Sequence, residues 1–332
     1  MVRGNSANAP HAGKGAAAAG KSAERNAAWG RAWNTRPTDK AAAKGLPTQA
    51  SIVVATYNGM GTLKRTLDSL LSQRFSGQFE VIVVDDGSAD GTKEFLGAYA
   101  RAKKNLRVLH QQNRGVCAAR NLGISRARYG IVINMDHDCI AQKGWLAKML
   151  AGFDSPDVGV VSAYDYYGGT STGFLRGPLE AVGGYDPEYR YYREDTDLSF
   201  KIMDLGYRFR LVRAGYLHDH AEAAPQGLWG LCRYVLKRLE YHQNDALLYK
   251  KHPTSVCEEF LHIKFGFLVD PAQDFKVATG TWKIGGKMEL SSPRGITFLQ
   301  NRGPLHALAI IALGTGYVAA VKTSWLIGIV RF

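Results

Sequence analysis

Ser51-Ile-Val-Val-Ala-Thr56 runs into Tyr57-Asn58-Gly59, and Glu80-Val-Ile-Val-Val84 runs into Asp85-Asp86-Gly87-Ser88. Each is a short apolar run that stops abruptly at polar and turn-forming residues, the pattern of a strand buried on both faces. Between them Leu63, Leu67, Leu70 and Leu71 fall on one face of a helix; after the second run Phe95, Leu96 and Tyr99 do the same, with Asp90 placed as the N-cap. Strands that alternate with helices in this way build βαβ units and a mainly parallel sheet covered on both faces. Working outward, further strands are predicted at Leu106–His110, Ile131–Met135, Val158–Ser162 and Arg208–Val212. Ligands of such a sheet sit beyond the carboxyl ends of its strands, so function is to be sought where these runs stop.

The chain has 332 residues and 45% apolar content, enough for one or two buried cores, which excludes a fibre, a disulfide scaffold or a wholly disordered tail. Forty-two Lys and Arg against 29 Asp and Glu give a net charge of +13 and favour anionic partners. No nucleic-acid-binding motif accompanies that charge, so nucleic acid is not expected as a partner. Cys117, Cys139, Cys232 and Cys257 lie far apart without Cys-x-x-Cys spacing, as ordinary thiols of a reducing compartment do.

Composition divides the chain. Residues 1–48 are rich in Ala, Gly, Lys, Asn and Ser and read as a disordered basic arm without a secretory signal, so no export is expected. Gly15-Ala-Ala-Ala-Ala-Gly20-Lys21-Ser22 spells a P-loop, but neither a strand before it nor an amphipathic helix after it is present, so it is read as a chance match. Residues 49–222 carry the α/β pattern, and 223–303 read as a helical extension with Leu228, Leu231, Val235 and Leu239 along one face. Within 304–332 the run Leu305 to Val321 has His306 as its one strongly polar member, and Trp325 to Val330 extends it past Lys322. Membrane contact is expected there, and a full span requires Lys322 to snorkel.

The strand ends carry polar residues in a pattern. Thr56, Tyr57 and Asn58 place an aromatic face and an amide at the mouth of the sheet; Asp85 and Asp86 offer two carboxylates to a nucleobase or ribose. In Asp136-His137-Asp138 alternate side chains of an extended segment point the same way, so the outer carboxylates can share one hard cation. Asp195, at the start of a helix marked by Leu198, Ile202 and Leu205, is expected to be held ionised by the positive helix terminus, as a general base requires.

Together these segments resemble the family 2 glycosyltransferases of the GT-A fold. The resemblance rests on Ile52-Val-Val-Ala-Thr-Tyr-Asn-Gly59, Val83-Val-Asp-Asp-Gly-Ser88, Asn113-Arg-Gly-Val-Cys-Ala-Ala-Arg-Asn-Leu-Gly123, Asp136-His-Asp138, Gly183-Gly-Tyr-Asp186 and Glu194-Asp-Thr-Asp-Leu198, in that order, over residues 50 to about 220. It implies a Rossmann-like sheet and an inverting, metal-dependent enzyme of hexosyltransferase type. Such an enzyme would move a sugar from a UDP- or GDP-sugar to a glycan or lipid-linked hydroxyl, at the cytoplasmic face of a membrane. By that resemblance Thr56, Tyr57, Asn58, Asp85 and Asp86 contact the nucleotide, with Tyr57 stacked on its base. Arg120 lies near the donor and offsets phosphate charge, and Asp136 binds ribose or completes the metal contact. Asp138 is the principal ligand of Mg²⁺ or Mn²⁺; Asp195, with Glu194 beside it, is the base that deprotonates the acceptor. His218 in Tyr216-Leu-His-Asp-His220 is favoured over His220 as a residue near the metal, and His137 departs from the small or acidic residue often seen inside Asp-x-Asp. Arg233, Lys237, Arg238, Lys250 and Lys251 offer an anionic membrane surface a basic face.

Two other classes compete. A non-catalytic nucleotide- or glycan-binding scaffold need not retain Asp136, Asp138 and Asp195 together. A dinucleotide-dependent oxidoreductase is suggested by Gly59-Met-Gly61, but Lys64 stands where the third glycine of that fingerprint belongs.

Overall fold

Along the first strand, β1 (Gln49–Thr56), Ile52 and Val54 turn to one side and Val53 to the other; on β2 (Gln78–Asp85), Val81 and Val83 oppose Ile82 and Val84 in the same way. That period of two feeds two cores, one on each face of the sheet. The computed structural model describes residues 47–164, 167–189, 191–219, 226–263 and 304–332. The basic arm and its P-loop look-alike fall, but for residues 47 and 48, outside the described residues, as do His220 and 264–303.

Helices α1 (Leu63–Leu71), α2 (Thr92–Ala100) and α4 (Trp145–Ala151) bring Leu63, Leu67, Leu70, Leu96, Trp145 and Met149 into one apolar cluster with Ile52, Val54, Val81 and Val83 on one face of the sheet. Helices α3 (Val116–Ser125), α5 (Arg176–Ala181) and α6 (Glu194–Asp204) cover the other with Ala119, Ile124, Leu179, Leu198 and Ile202. Each fully buried aliphatic side chain contributes roughly 1.5–3 kcal/mol. Helix α3 lies close on the sheet because Gly123 has no side chain; a Cβ there would come within 2.4 Å of Val53 Cγ1.

The main sheet has the order β3-β2-β1-β4-β7-β6-β8, where β3 is Leu106–His110, β4 Ile131–Asn134, β6 Val158–Ser162, β7 Thr172–Leu175 and β8 Arg208–Leu211. Its strands are parallel except β7, which pairs antiparallel with both β4 and β6. This is the mainly parallel, helix-covered α/β sheet that the hydrophobic pattern predicts. Three short strands are additions to it: β7, and the two-stranded ribbon of β5 (Cys139–Ala141) and β9 (Tyr216–His218). They have three or four residues each, too few to display a period. Leu205, expected on the buried face of α6, lies just past its end and is 53% exposed.

The C-terminal helices differ more from expectation. The helical extension expected from 223 is broken among its described residues: α7 (Gly227–Lys251) stops before Pro253, whose ring and missing N–H end a helix, and α8 (Ser255–Leu261) restarts with Thr254 Oγ1 accepting from Cys257 N. Val235, expected to be covered, is exposed, whereas Ala246, Leu247 and Leu248 of the second half are buried; the side chains of Leu228 and Leu231 are outside the described residues. Helix α9 (Pro304–Arg331) packs its last turns on α7, with Trp325 buried and Gly328 against the backbone of Gln243. Among the described residues no helix is long and apolar enough to cross a membrane. Phe200, Met203, Leu248, Leu261 and Trp325 form a third apolar cluster that fastens these helices to α6.

Candidate active site

Parallel pairing of β2, β1 and β4 sets their carboxyl ends side by side, with Thr56 opposite Asp85 and Asn134 opposite Val53. The residues that follow those ends build one rim. Asn58 N donates to Ser88 Oγ (2.8 Å) and Ala89 N to Asn58 Oδ1 (2.9 Å), tying the first loop to the second, while the Tyr57 ring stays 49% exposed.

Asp85 and Asp86 are both buried. Asp85 accepts from Ser88 N (3.1 Å) and pairs with His110 Nδ1 (3.0 Å). Asp86 accepts from Gln111 Nε2 (2.6 Å), Arg114 N (2.9 Å) and Gly115 N (2.8 Å). Asp86, expected to contact the nucleotide, is thus also the organiser of the loop that starts α3.

The centre of the rim is Arg120, on α3. Its buried guanidinium meets Asp136 Oδ1 (2.9 Å), Glu194 Oε1 (3.1 Å) and Asp195 Oδ1 (3.2 Å) and lies 5.0 Å over the Tyr185 ring. Arg120, expected near the donor where its charge offsets phosphate, here gives Nη1 and Nη2 to carboxylates. Tyr185 OH donates to Asp195 Oδ1 (2.9 Å) and receives Asn134 Nδ2 (2.6 Å). Burial, and then the nearby Asp195, push the Tyr185 phenol upward, so it remains a donor. Asn121 clamps the backbone of Tyr185 with bonds of 2.8 Å to its N–H and C=O.

Excess negative charge here moves protons. Burial and then Asp195, opposed by Arg120, push Glu194 up to about 7. Burial raises Asp195 as well, with Arg120 pulling against it and Asp136 adding to it. The helix terminus was expected to keep Asp195 ionised; desolvation outweighs it, since the side chain is only 16% exposed. Glu194 is buried behind the rim, and its Oε2, like Thr56 Oγ1 and Asn134 Oδ1, has no partner among the described residues.

Asp138 lies at the ribbon. Antiparallel pairing of Cys139 with His218 brings His218 Nε2 to 3.2 Å from Asp138 Oδ2. Asp138, Cys139 and His218 offer ligand atoms all within 4.8 Å of one another. Burial and then Asp136 push the Cys139 thiol far above its usual range, leaving a carboxylate oxygen and an imidazole nitrogen as the usable donors. The His137 ring lies over Gly59, 3.3 Å from where a Cβ would stand.

Two contributors were not assigned from the sequence. Tyr185 lies inside a motif that drew attention without a role for its hydroxyl. Gly168, in the loop between β6 and β7, has φ +121°, and a Cβ on it would stand 2.6 Å from Asp195. Its glycine beside other glycines was the available signal.

Residues 51–220 match the family described as Glycosyl transferase family 2. The chain belongs to that family. Among family 2 relatives, the uncharacterized glycosyltransferase EpsJ of Bacillus subtilis is 40% identical over 218 residues, 63% of this chain and 62% of EpsJ. The glycosyltransferase AglE of Haloferax volcanii is 33% identical over 113 residues, 33% of this chain, and the chain spans only 37% of AglE. In fold the chain is similar to the mannosyltransferase PcManGT of Pyrobaculum calidifontis, solved with GDP-Man and Mn²⁺, at TM-score 0.59 and 21% identity over 94% of this chain and 96% of that one. The GT-A architecture expected of a family 2 chain is therefore the one it has.

Proposed function

We propose that this family 2 chain is an inverting, divalent-metal-dependent glycosyltransferase that moves a sugar from a UDP- or GDP-sugar to a hydroxyl of a glycan or lipid-linked acceptor. The observation that carries this reading is the meeting of Asp136, Glu194 and Asp195 on one buried guanidinium, with Asp138 and His218 on the same rim. Surplus carboxylates there favour a cation, and the GDP-Man and Mn²⁺ held by the structural neighbour support a nucleotide-sugar donor and Mn²⁺ or Mg²⁺.

Asp138 and His218, with Asp136, would hold the metal; carboxylate and imidazole donors suit Mn²⁺, and the carboxylates alone suit Mg²⁺. When bound, the ion supplies Lewis-acid stabilisation of the departing diphosphate. The half-exposed Tyr57 stacks on the base, framed by Thr56 and Asn58. Asp85 and Asp86 shape its pocket, the latter retaining acceptor capacity beyond its three bonds. Asp195 takes the proton of the acceptor hydroxyl. The oxygen's electron pair forms the bond to the anomeric carbon while the bond from that carbon to the phosphate oxygen breaks, and the nucleoside diphosphate leaves with the electron pair of the broken bond. A single displacement inverts the carbon. Arg120 and the Tyr185 hydroxyl fix the Asp195 carboxylate so that its other oxygen faces the acceptor.

A site at the cytoplasmic face of a membrane, used for surface glycan or glycolipid synthesis, is supported by the net charge of +13 and by exposed Trp229 and Leu236 alongside Arg233 and Lys237 on α7. The deciding experiment is a calorimetric screen of UDP- and GDP-sugars with Mn²⁺, followed by turnover with and without chelator. One nucleotide sugar should bind tightly and turnover should need the metal; binding by none, or turnover that survives chelation, overturns the proposal.

A further inference from the structure

The turn before Glu194 and Asp195 is held in an unfavourable shape. Tyr192 and Arg193 have φ values of +74° and +76°, left-handed conformations that a side chain with a Cβ disfavours, and both precede the first residue of α6. Arg193 C=O accepts from Asp197 N (2.8 Å), so the dihedrals of Arg193 set the direction in which the first turn of α6, with Asp195, leaves the loop.

That turn is held from outside the matched domain. Asn244 Nδ2, on α7, donates to Tyr191 O (2.8 Å) and Tyr192 O (2.9 Å). The next residue, Asp245, is buried and accepts Arg193 Nε at 2.6 Å. Its second oxygen lies 2.9 Å from both His242 Nδ1 and Trp325 Nε1, the latter from α9. The Arg193 guanidinium is sandwiched between the rings of Tyr192 (4.2 Å) and Phe260 (4.7 Å), the second from α8. All three C-terminal helices therefore converge on the residues immediately ahead of Asp195. Strained backbone persists where its surroundings over-determine it, and it gathers at functional sites.

We propose that Asn244, Asp245 and Trp325 are positioning residues for Asp195: the C-terminal helices form a clamp that holds the 191–193 turn in its left-handed shape and so aims the carboxylate at the acceptor. This rests on the reading of Asp195 as the base. The clamp acts on transfer and leaves the nucleotide pocket at Tyr57 and Asp86 untouched, because the hydrogen bonds of Asn244 and Asp245 just described run to the 191–193 turn, His242 and Trp325.

The test uses the full chain, Mn²⁺, and the UDP- or GDP-sugar selected by the donor screen, with release of nucleoside diphosphate as the rate. Asn244→Ala should lower kcat by roughly 10–100-fold, the effect of a small misplacement of a reacting group, with the dissociation constant for the nucleotide unchanged within about twofold. In an Asp195→Asn background the same change should cost nothing further, since residues that act as a unit are not additive. A merely structural role would slow both backgrounds alike or weaken nucleotide binding in proportion, and either result overturns the proposal, as does a wild-type kcat. Should Asn244→Ala fail to fold, Trp325→Phe keeps an aromatic ring in the apolar cluster while removing the N–H that Asp245 accepts, together with part of the indole, and is judged by the same measurements. Wild-type turnover in Asp195→Asn itself would overturn the reading of the base, and the clamp with it, and is told apart by that single variant.

Discussion

Arg120 Nη1 stands 3.2 Å from Asp195 Oδ1, so a residue of α3 opposes the effect of burial on the carboxylate at the start of α6 and, with the Tyr185 hydroxyl, holds one of its oxygens. The same guanidinium holds Asp136 and Glu194, so its removal strands three acidic groups at once.

Arg120→Ala is expected to cost about 3–5 kcal/mol of stability near neutral pH, the cost of leaving buried charge uncompensated. The loss should shrink at pH 5, where the stranded carboxyls take up protons. Urea unfolding of both proteins at pH 5 and pH 8 checks this, and an equal loss at both would refute it.

Glu194 gives the native protein a defined pH response. Its carboxyl is raised to about 7 from an ordinary 4.5, so between those values the folded state binds more protons than the unfolded one. Stability from this group therefore falls as pH rises through that window and is level above it. Glu194→Gln should become more stable relative to the parent between pH 5 and pH 8, by roughly 2–4 kcal/mol, in thermal or urea unfolding.

His252 adds to the same trend at higher pH. It is buried between Asp197 Oδ1 (3.0 Å) and Asp204 Oδ2 (2.7 Å), and these partners raise its pKa against the opposing effect of burial. A raised imidazole stabilises fully below its unfolded value and loses that contribution as pH climbs through the folded one. His252→Gln should flatten the stability profile above about pH 6.5.

Two glycines separate backbone freedom from helix propensity. Gly168→Ala meets both a φ of +121° and the Asp195 backbone, and should destabilise by about 1–3 kcal/mol and depress transfer. Gly97→Ala, midway along α2 with no atom beyond its chain neighbours and the helix's own backbone within 4 Å of the new methyl, should stabilise by about 0.4–1 kcal/mol with unchanged turnover. Unfolding midpoints and the donor assay read both variants.

At the ribbon, Asp138→Ala should abolish turnover, and His218→Ala should raise the Mn²⁺ concentration for half-maximal rate by roughly 10–100-fold. A metal titration of turnover distinguishes this from a histidine that only pairs two short strands.

Much of the fold was readable from local pattern. The apolar runs at 51–56 and 80–84 and the leucine spacing after Thr62 specify strand and helix because burial on a sheet or helix imposes its own period over a few adjacent residues. The mouth of the sheet followed from the same reading, since each run ends where its polar residues begin. Strand β7 and the β5–β9 ribbon were not readable, because three or four residues carry no period and their pairing depends on partners far along the chain.

By itself the sequence determined the alternation of strands and helices, the segments that meet at the strand ends, and the residue types available there. Only the tertiary structure decided that Arg120 serves Asp136, Glu194 and Asp195, that His218 lies beside Asp138, and that burial overrides the helix terminus at Asp195. The physical reason is range: periodicity is set between neighbours, whereas desolvation and ion pairing depend on groups as much as 80 residues apart that the folded chain alone brings within 3 Å or so.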